Sequence, residues 1–385
     1  MKKYFINSKS FLLSGLFLLI SNTALAATGT NYMAVVDGGS TGSRLYLYSY
    51  STDSSQSNLK VPVLVDSAKV SPGVATIAPS AIPAYLQPLF QMVQKDVPTG
   101  TPVDLYFLST AGMRLLSFDQ QQAIYTAITA AAKNSGLTPT VIQTIPGKME
   151  GVFDWIALNQ LLNNLGQDAS KTMGILDLGG ASTQVVFAGS GMDSSDTERL
   201  NLGNQTYNLY SHSYLGLGEN IAQSQYMNAP ECYPIGYTLP NENLGSGQFA
   251  NCETHVNALL GPVQSVQNIQ SFMPAQSPMN FYAISGFAYT TSSKIFNLGA
   301  QLNTKLLEST AINACGQTWS LLNQQDPSDP YLYSTCFNAA LAIDLLDAYG
   351  FPNNQTFTAT NSIGSNDIAW TLGAAIYYLN SQPSY

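Results

Sequence analysis

Two loops of similar composition, each following an apolar segment, constrain the fold more than any other feature of this sequence. The first reads DGGSTGSR from Asp37 to Arg44, and the second reads DLGGASTQ from Asp177 to Gln184. Each begins with an aspartate, mixes glycines with hydroxyl side chains, and joins two segments with β-strand character. Because the two aspartates are 140 residues apart, the repetition predicts a duplicated domain in which each copy supplies one loop.

Strand-like and helical segments alternate along the chain, which predicts an α/β fold. Apolar strand-like runs at 103–108 and 141–145 precede helical patterns, the second of which covers 147–163. The pattern restarts with a strand at 173–178, whereas 189–280, rich in Ser, Asn, Gln and Pro, is interpreted as loops and insertions. A hydrophobic content of 45% with 22 Tyr and 16 Phe excludes intrinsic disorder, because such a chain can bury a sizeable core.

The composition of the first loop favours phosphate binding over a simple turn. Glycines let an oxyanion approach backbone N–H groups, and the hydroxyls of Ser40, Thr41 and Ser43 add donors. An ordinary turn needs only one or two such residues. The sequence is neither a Walker A loop nor a GxGxxG loop. A further segment, STAGMR, follows a strand and would add a donor at Thr110 and a positive charge at Arg114.

Carboxylates at defined positions predict a cation site and a general base. Asp37 and Asp177 each stand at a strand end, and two converging carboxylates suit a hydrated Mg²⁺ or Ca²⁺. Glu150 lies in the first turn of a predicted helix, where a carboxylate commonly interacts with the helix dipole. Beside two phosphate loops, however, Glu150 is the best-placed group to take a proton from an attacking water.

The charge balance restricts the partners. The chain has 23 acidic and 14 basic residues, a net charge of −9 and only 10% charged residues. A general nucleic-acid binder needs a basic face to neutralise phosphates, so no nucleic-acid partner is expected.

The first residues have the layout of a secretory signal peptide. Lys2, Lys3 and Lys9 precede an apolar run at 11–20, and a small-x-small site ends at Ala26. The apolar run is about half the length that a membrane-spanning helix needs. We therefore expect cleavage after Ala26 and a secreted or periplasmic protein with no membrane anchor.

The cysteines fit an oxidising compartment. Cys232, Cys252, Cys315 and Cys336 are the 4 cysteines of the chain, with no CxxC pair and only 2 histidines to support zinc. Four cysteines allow three pairings. The sequential pairing, 232 with 252 and 315 with 336, is the simplest.

Five segments, in order along the chain, resemble the five apyrase-conserved regions of the nucleoside triphosphate diphosphohydrolases, or apyrases. They are DGGSTGSR at 37–44, STAGMR at 109–114, GKMEG at 147–151, DLGGASTQ at 177–184 and WTLGAA at 370–375. With its signal peptide, the chain is similar to bacterial secreted members of that family, such as those of Legionella.

The resemblance implies a fold and an activity. The fold would be actin-like, with two RNase H-like lobes around an active-site cleft: lobe I from 27–150 and 362–385, and lobe II from 151–361. The enzyme would remove terminal phosphates from nucleoside tri- and diphosphates with Mg²⁺ or Ca²⁺. We expect a monomer.

The resemblance also implies roles for single residues. Glu150 would be the general base and Ser182 would help it orient the water. Asp37 and Asp177 would hold the metal through its waters, with Trp370 lining that water shell. The phosphate-binding residues would be Gly39, Ser40, Thr41, Ser43, Arg44, Thr110, Arg114, Gly180, Ala181 and Gln184.

The nucleobase position is less defined. Tyr349 and Phe351 lie where the family often has an aromatic residue that contacts the base. The alternative is that both are core residues at the end of a helix.

Two other functions are weighed against this one. An exopolyphosphatase or guanosine-pentaphosphate phosphatase shares the two-lobe fold and a catalytic glutamate, but the export signal, the cysteines and the complete STAGMR segment argue against it. A surface protein that binds nucleotides without catalysis is disfavoured because Glu150, Ser182 and both aspartates are retained.

Overall fold

Two β-sheets and the helices that pack on them form the described part of the chain. The computed structural model describes residues 29–51, 59–189, 195–261, 263 and 280–381. The predicted signal peptide at 1–26 lies outside the described residues. Over the described part, no helix has the length and apolar character needed to cross a membrane.

The first sheet has five strands in the order β3-β2-β1-β4-β5. Strands β1, β2 and β3 are antiparallel neighbours, whereas β4 and β5 continue parallel to β1. Their bounds are β1 Thr30–Gly38, β2 Ser43–Ser51, β3 Val63–Val70, β4 Val103–Ser109 and β5 Thr138–Thr144.

The second sheet repeats this plan with one extra strand at each edge. Its order is β11-β12-β10-β6-β7-β9-β8. The bounds are β6 Gly174–Leu178, β7 Ser182–Ala188, β8 Thr197–Leu202, β9 Gln205–Leu215, β10 Phe281–Ser285, β11 Gln301–Asn303 and β12 Thr356–Ala359. In its five central strands, β6, β7 and β9 are antiparallel neighbours, and β10 and β12 continue parallel to β6. The predicted duplication is therefore confirmed in both strand order and direction.

Helices connect and cover the strands. They are α1 Ile82–Asp96, α2 Ala111–Arg114, α3 Phe118–Asn134, α4 Gly147–Leu161, α5 Glu219–Ser224, α6 Phe249–Leu259, α7 Gly286–Ser292, α8 Thr304–Cys315, α9 Trp319–Gln325, α10 Thr335–Ala348 and α11 Trp370–Ser381. A small hairpin, β13 Ser362–Ile363 with β14 Asn366–Asp367, precedes α11.

The interpretation of 189–280 as loops was incomplete. The described part of this segment contains strands β8 and β9 and helices α5 and α6. In β9, buried Tyr207, Leu209 and Tyr210 are interspersed with exposed polar residues such as Asn208. The polar composition concealed a strand whose stability comes from packing of its apolar face.

Helix α4 is buried on all sides because it lies between the second sheet and α11. Every residue from Glu150 to Asn159 is buried, and α4 packs against β6, β7, β9 and α11. Helix α11 approaches α4 so closely that a side chain at Gly373 would overlap the carbonyl oxygen of Phe153. It also contacts β1 of the first sheet. The pair α4–α11 thus joins the two sheets, while the division into lobes at 150/151 and 361/362 stays a prediction.

Both disulfides follow the sequential pairing. Cys232 pairs with Cys252, and Cys315 pairs with Cys336, with Cα–Cα distances of 4.8 and 5.7 Å. All four cysteines are buried in the hydrophobic core around the second sheet. The first bridge connects Cys232 to α6, and the second connects the end of α8 to α10.

Removing one bridge should destabilise the protein. In the chain-entropy model a closed loop of about 20 residues stabilises by about 3 kcal/mol. We expect the double variant Cys315→Ala/Cys336→Ala to lose roughly this much free energy of unfolding in urea. A reductant should then lower the melting temperature of the variant less than that of the wild type. An unchanged free energy of unfolding would contradict a stabilising role for this bridge.

An acidic cluster of Glu253, Glu308, Asp344 and Asp347 lies among α6, α8 and α10. Burial, together with the charges of Glu253, Asp347 and Glu308, raises the pKa of Asp344 to about 8. One carboxylate oxygen of Asp344 is buried without a hydrogen-bond partner among the described residues. The folded protein therefore retains a proton here that the unfolded chain releases near pH 4.

Because of this cluster, the free energy of unfolding should fall as the pH rises. A carboxyl whose pKa is raised on folding contributes stability at low pH, and that contribution is lost as the pH rises through about 8. We expect Asp344→Asn to be more stable than wild type at pH 9 by roughly 1–3 kcal/mol, with the difference vanishing toward pH 4. Urea unfolding across this pH range measures the effect, with the exposed Glu242→Gln as control. Equal gains at both pH values would contradict the argument.

Candidate active site

The two repeated loops face each other across one cleft. A Cβ atom on Gly180 would lie 2.9 Å from the Ser40 hydroxyl oxygen and 3.5 Å from a Thr41 methyl carbon. The registers match, since Asp37 is paired with Arg44 in β1–β2 and Asp177 with Gln184 in β6–β7. Duplication thus places equivalent loops on opposite walls.

Most of the predicted site residues line this cleft. Those that do are Asp37, Gly39, Ser40, Thr41, Arg44, Thr110, Glu150, Asp177, Gly180 and Trp370. Of the predicted catalytic, phosphate-binding and metal residues, five are absent from the lining: Ser43, Arg114, Ala181, Ser182 and Gln184. The hydroxyl oxygen of Ser43 accepts a hydrogen bond from Tyr85 at 3.0 Å, and the remaining four lie next to the lining residues.

Glu150 is a buried carboxylate at the start of α4. Arg114 donates to its Oε2 and forms an ion pair with it. The guanidinium also donates through Nε to the carbonyl oxygen of Ile145 at 3.0 Å, which fixes its orientation. Burial raises the pKa of Glu150, and the charge and hydrogen bond of Arg114 oppose this rise. The arrangement can hold a carboxylate ready to accept a proton.

Gln184 connects Glu150 to the hydroxyl groups on the second sheet. Its Nε2 lies 2.9 Å from the Ser182 hydroxyl oxygen, 3.1 Å from that of Ser213 and 3.3 Å from Glu150 Oε2. Ser182 therefore does not contact Glu150 in the contacts described, and the two are linked through a shared amide. Sequence reasoning missed Ser213, which belongs to polar-looking β9.

The two loop aspartates are buried and close to other negative charges. Arg44 lies 3.6 Å from Asp37, yet burial raises the pKa of Asp37 to about 7. Burial also raises the pKa of Asp177 to about 7 against a hydrogen bond with Ser285, and the charge of Glu150 adds to the rise. Each aspartate buries one oxygen that has no hydrogen-bond partner among the described residues. Both carboxylates could thus face a cation.

Tyr349 and Phe351 do not line the cleft. Tyr349 is 1% exposed and its hydroxyl lies 3.2 Å from that of Thr183. Phe351 packs edge-on against Tyr349 and against two further phenylalanines. Both rings therefore fit the alternative that they are core residues, because a ring enclosed on all sides has no free face on which a nucleobase could stack.

Several cleft residues were missed by the sequence reasoning. Asp154 lies one turn after Glu150 in α4, Ser285 adopts a positive φ of 56° where β10 meets α7, and Tyr289 is 65% exposed at the rim. Glu219, at the start of α5 and outside the cleft lining, is partly buried beside Gly286, and burial raises its pKa to about 8. The signal available for Asp154 was a charged residue in an otherwise apolar helix.

Equivalent strand-end loops that face each other across two repeated sheets are the arrangement expected of an actin-like fold. Among solved structures, the chain is similar to nucleoside triphosphate hydrolases from Neospora caninum, with a TM-score of 0.63, 14% identity, and coverage of 92% of this chain and 93% of that chain. It is also similar to the Aquifex aeolicus member of the Ppx/GppA family, with a TM-score of 0.58, 12% identity, and coverage of 93% and 100%. These likenesses confirm the predicted fold class.

Sequence relatives define the family. The model of the GDA1/CD39 (nucleoside phosphatase) family matches residues 24–232 and 234–384. Probable apyrase 6 of Arabidopsis thaliana is 30% identical over 98% of this chain and 78% of its own length. Human ectonucleoside triphosphate diphosphohydrolase 3 is 28% identical over 92% and 79%. The chain therefore belongs to the GDA1/CD39 family of nucleoside phosphatases, as the five motifs predicted.

Proposed function

We propose that this enzyme removes terminal phosphates from nucleoside tri- and diphosphates by direct attack of water. The observation that carries the proposal is a buried carboxylate, Glu150, at a cleft bounded by two facing glycine-rich loops. Phosphoryl transfer depends on positioning and charge neutralisation more than on covalent chemistry. No nucleophilic side chain is needed.

The loop residues would bind the phosphate chain from both walls. Ser40, Thr41 and Thr110 offer hydroxyl donors at the cleft, and Arg44 offers a positive charge. On the opposite wall Gly180 leaves room for close approach. The other members of the predicted set are Gly39, Ser43, Arg114, Ala181 and Gln184. Arg114 pairs with Glu150, and the other four would act through backbone groups or through neighbours.

Glu150 would accept the proton of the attacking water. Its raised pKa suits a general base, whose strength must approach the working pH. Arg114 and Gln184 would orient the carboxylate through their contacts with Oε2. Gln184 would also position the Ser182 hydroxyl beside the same water.

The cleft residues fit a hydrated divalent cation. Asp37 and Asp177 each present a buried oxygen without a partner among the described residues. No group of three His, Cys, Asp or Glu in that part of the chain is arranged to ligate a metal directly, so the contacts would run through the waters of Mg²⁺ or Ca²⁺, with Trp370 beside them. When bound, such an ion neutralises charge on the transferring phosphate.

Secretion and a monomeric state complete the proposal. The signal-peptide layout of residues 1–26 and the two disulfides support an oxidising compartment outside the cytosol.

Tyr349 and Phe351 are left out of the proposed substrate contacts because both are buried.

Replacing Glu150 by Gln should separate binding from turnover. The amide keeps the size of the side chain but cannot accept the water proton. We expect the turnover number for ATP to fall at least about 10²-fold, while a non-hydrolysable ATP analogue binds with wild-type affinity. Exposed Glu242→Gln is the control and should keep full activity. Near-normal turnover of Glu150→Gln would assign the base role to another group.

A substrate panel tests reaction class and metal dependence together. Nucleoside tri-, di- and monophosphates and inorganic polyphosphate would each be assayed for phosphate release with Mg²⁺, with Ca²⁺ and with excess chelator. We expect release from tri- and diphosphates only, and none in chelator. Preferential hydrolysis of polyphosphate would favour the exopolyphosphatase alternative, and undiminished release in chelator would remove the metal role.

A further inference from the structure

The helix that carries Glu150 also presents a second carboxylate to the cleft. Asp154 follows Glu150 by one helical turn, a rise of about 6 Å, and both side chains line the cleft. Asp154 is only 1% exposed. The proposed mechanism uses Glu150 and leaves Asp154 without a role.

Asp154 forms no salt bridge among the described residues. Its Oδ2 atom is buried without a hydrogen-bond partner among the described residues. The charged groups that act on it are all carboxylates, namely Asp177, Glu150 and Asp37. A buried carboxylate is costly to keep unless it is paired or its charge is neutralised.

Among the described residues, five acidic side chains line the cleft against one basic side chain, Arg44. Arg44 lies beside Asp37, and Arg114 pairs with Glu150. Asp154 and Asp177 have no ion-pair partner among the salt bridges of the described residues, and Asp367 also lines the cleft. A divalent cation would offset part of this excess of acidic groups.

We propose that Asp154 is a third carboxylate of the divalent-cation site, which would help hold the hydrated ion in the cleft that it lines together with the two loop aspartates. The inference rests on the proposed function and extends it to a residue outside the five motifs. Three buried oxygens, from Asp37, Asp154 and Asp177, share the absence of a protein partner. Since these residues are not arranged for direct ligation, Asp154 accepts hydrogen bonds from water on the ion. It is a positioning residue, because it acts through that water.

This assignment explains why one helix carries both carboxylates. The ion and the general base would be held at a fixed separation by a single rigid element, which α11 locks in place through the close contact at Gly373. Preorganisation of this kind would keep the attacking water and the neutralised phosphate at fixed relative positions.

The test measures cation binding without nucleotide. Ca²⁺ and Mg²⁺ would be titrated calorimetrically into the full mature chain as wild type and as Asp154→Asn. We expect the variant to bind at least about 10-fold more weakly, as for loss of other groups that support a metal through its ligands. The upward shift of melting temperature on adding Ca²⁺ should shrink in parallel. At saturating Mg²⁺ its turnover should recover further than that of Glu150→Gln.

Asp344→Asn is the matched control. Asp344 is also a buried aspartate with one unpartnered oxygen, but it lies in the cluster of α6, α8 and α10 and is absent from the cleft lining. Its replacement should leave cation affinity unchanged. Circular dichroism would establish that each variant is folded, and Asp154→Ser serves as a second, smaller replacement should the amide prevent folding.

The outcomes separate this inference from the proposed function. If a folded Asp154 variant binds the cations with wild-type affinity, the inference is overturned and Asp154 is a structural carboxylic acid. That result would not contradict the proposed activity. If the wild-type chain binds neither ion, with or without nucleotide, the metal part of the proposed function itself fails. Equal weakening by Asp344→Asn would also overturn the inference, because the effect would then reflect general stability.

Discussion

The facing of two glycine-rich loops at equivalent strand ends is the constraint on which the rest of the molecule depends. Each loop ends the central strand of its sheet, and each presents an aspartate to the other. Gly180 lies where the side chains of Ser40 and Thr41 approach the second loop, and its lack of a side chain leaves room for them. A cleft formed in this way collects backbone donors and carboxylates that neither sheet could assemble alone.

A buried helix pair sustains this arrangement. Helix α4 leaves the first sheet, packs on the second and is covered by α11, which contacts β1 in turn. The backbone approach at Gly373 allows no side chain between Phe153 and α11. Because α4 carries Glu150 and Asp154 on successive turns, the same packing that joins the sheets also sets the position of the cleft carboxylates.

Electrostatics in the cleft runs against the usual preference for paired buried charges. Desolvation raises the pKa values of both loop aspartates to about 7 and also raises that of Glu150. An anionic substrate would increase the repulsion. Under the proposed function, a divalent cation bound with the phosphate chain would offset this repulsion in a protein of net charge −9.

The sequence by itself determined the class of fold, the duplication, the disulfide pairing as the simplest choice, and the residues of the two loops. These follow from local rules: strand periodicity, glycine at close approaches, and a motif order that covers the chain from 37 to 375. Strand β9 was missed because its stability depends on an apolar face buried by distant elements, which local composition does not report.

Only the tertiary structure decided which side chains reach the cleft. Tyr349 and Phe351 lie close in sequence to a helix end, yet both pack into the hydrophobic core around the second sheet. Tyr289, in contrast, is exposed at the rim of the cleft. Asp154 lies outside the quoted motifs, and its place beside Asp37 and Asp177 arises from the way α4 crosses between the sheets. Burial, charge pairing and side-chain access are properties of contacts between residues far apart in the chain, and local sequence patterns do not specify them.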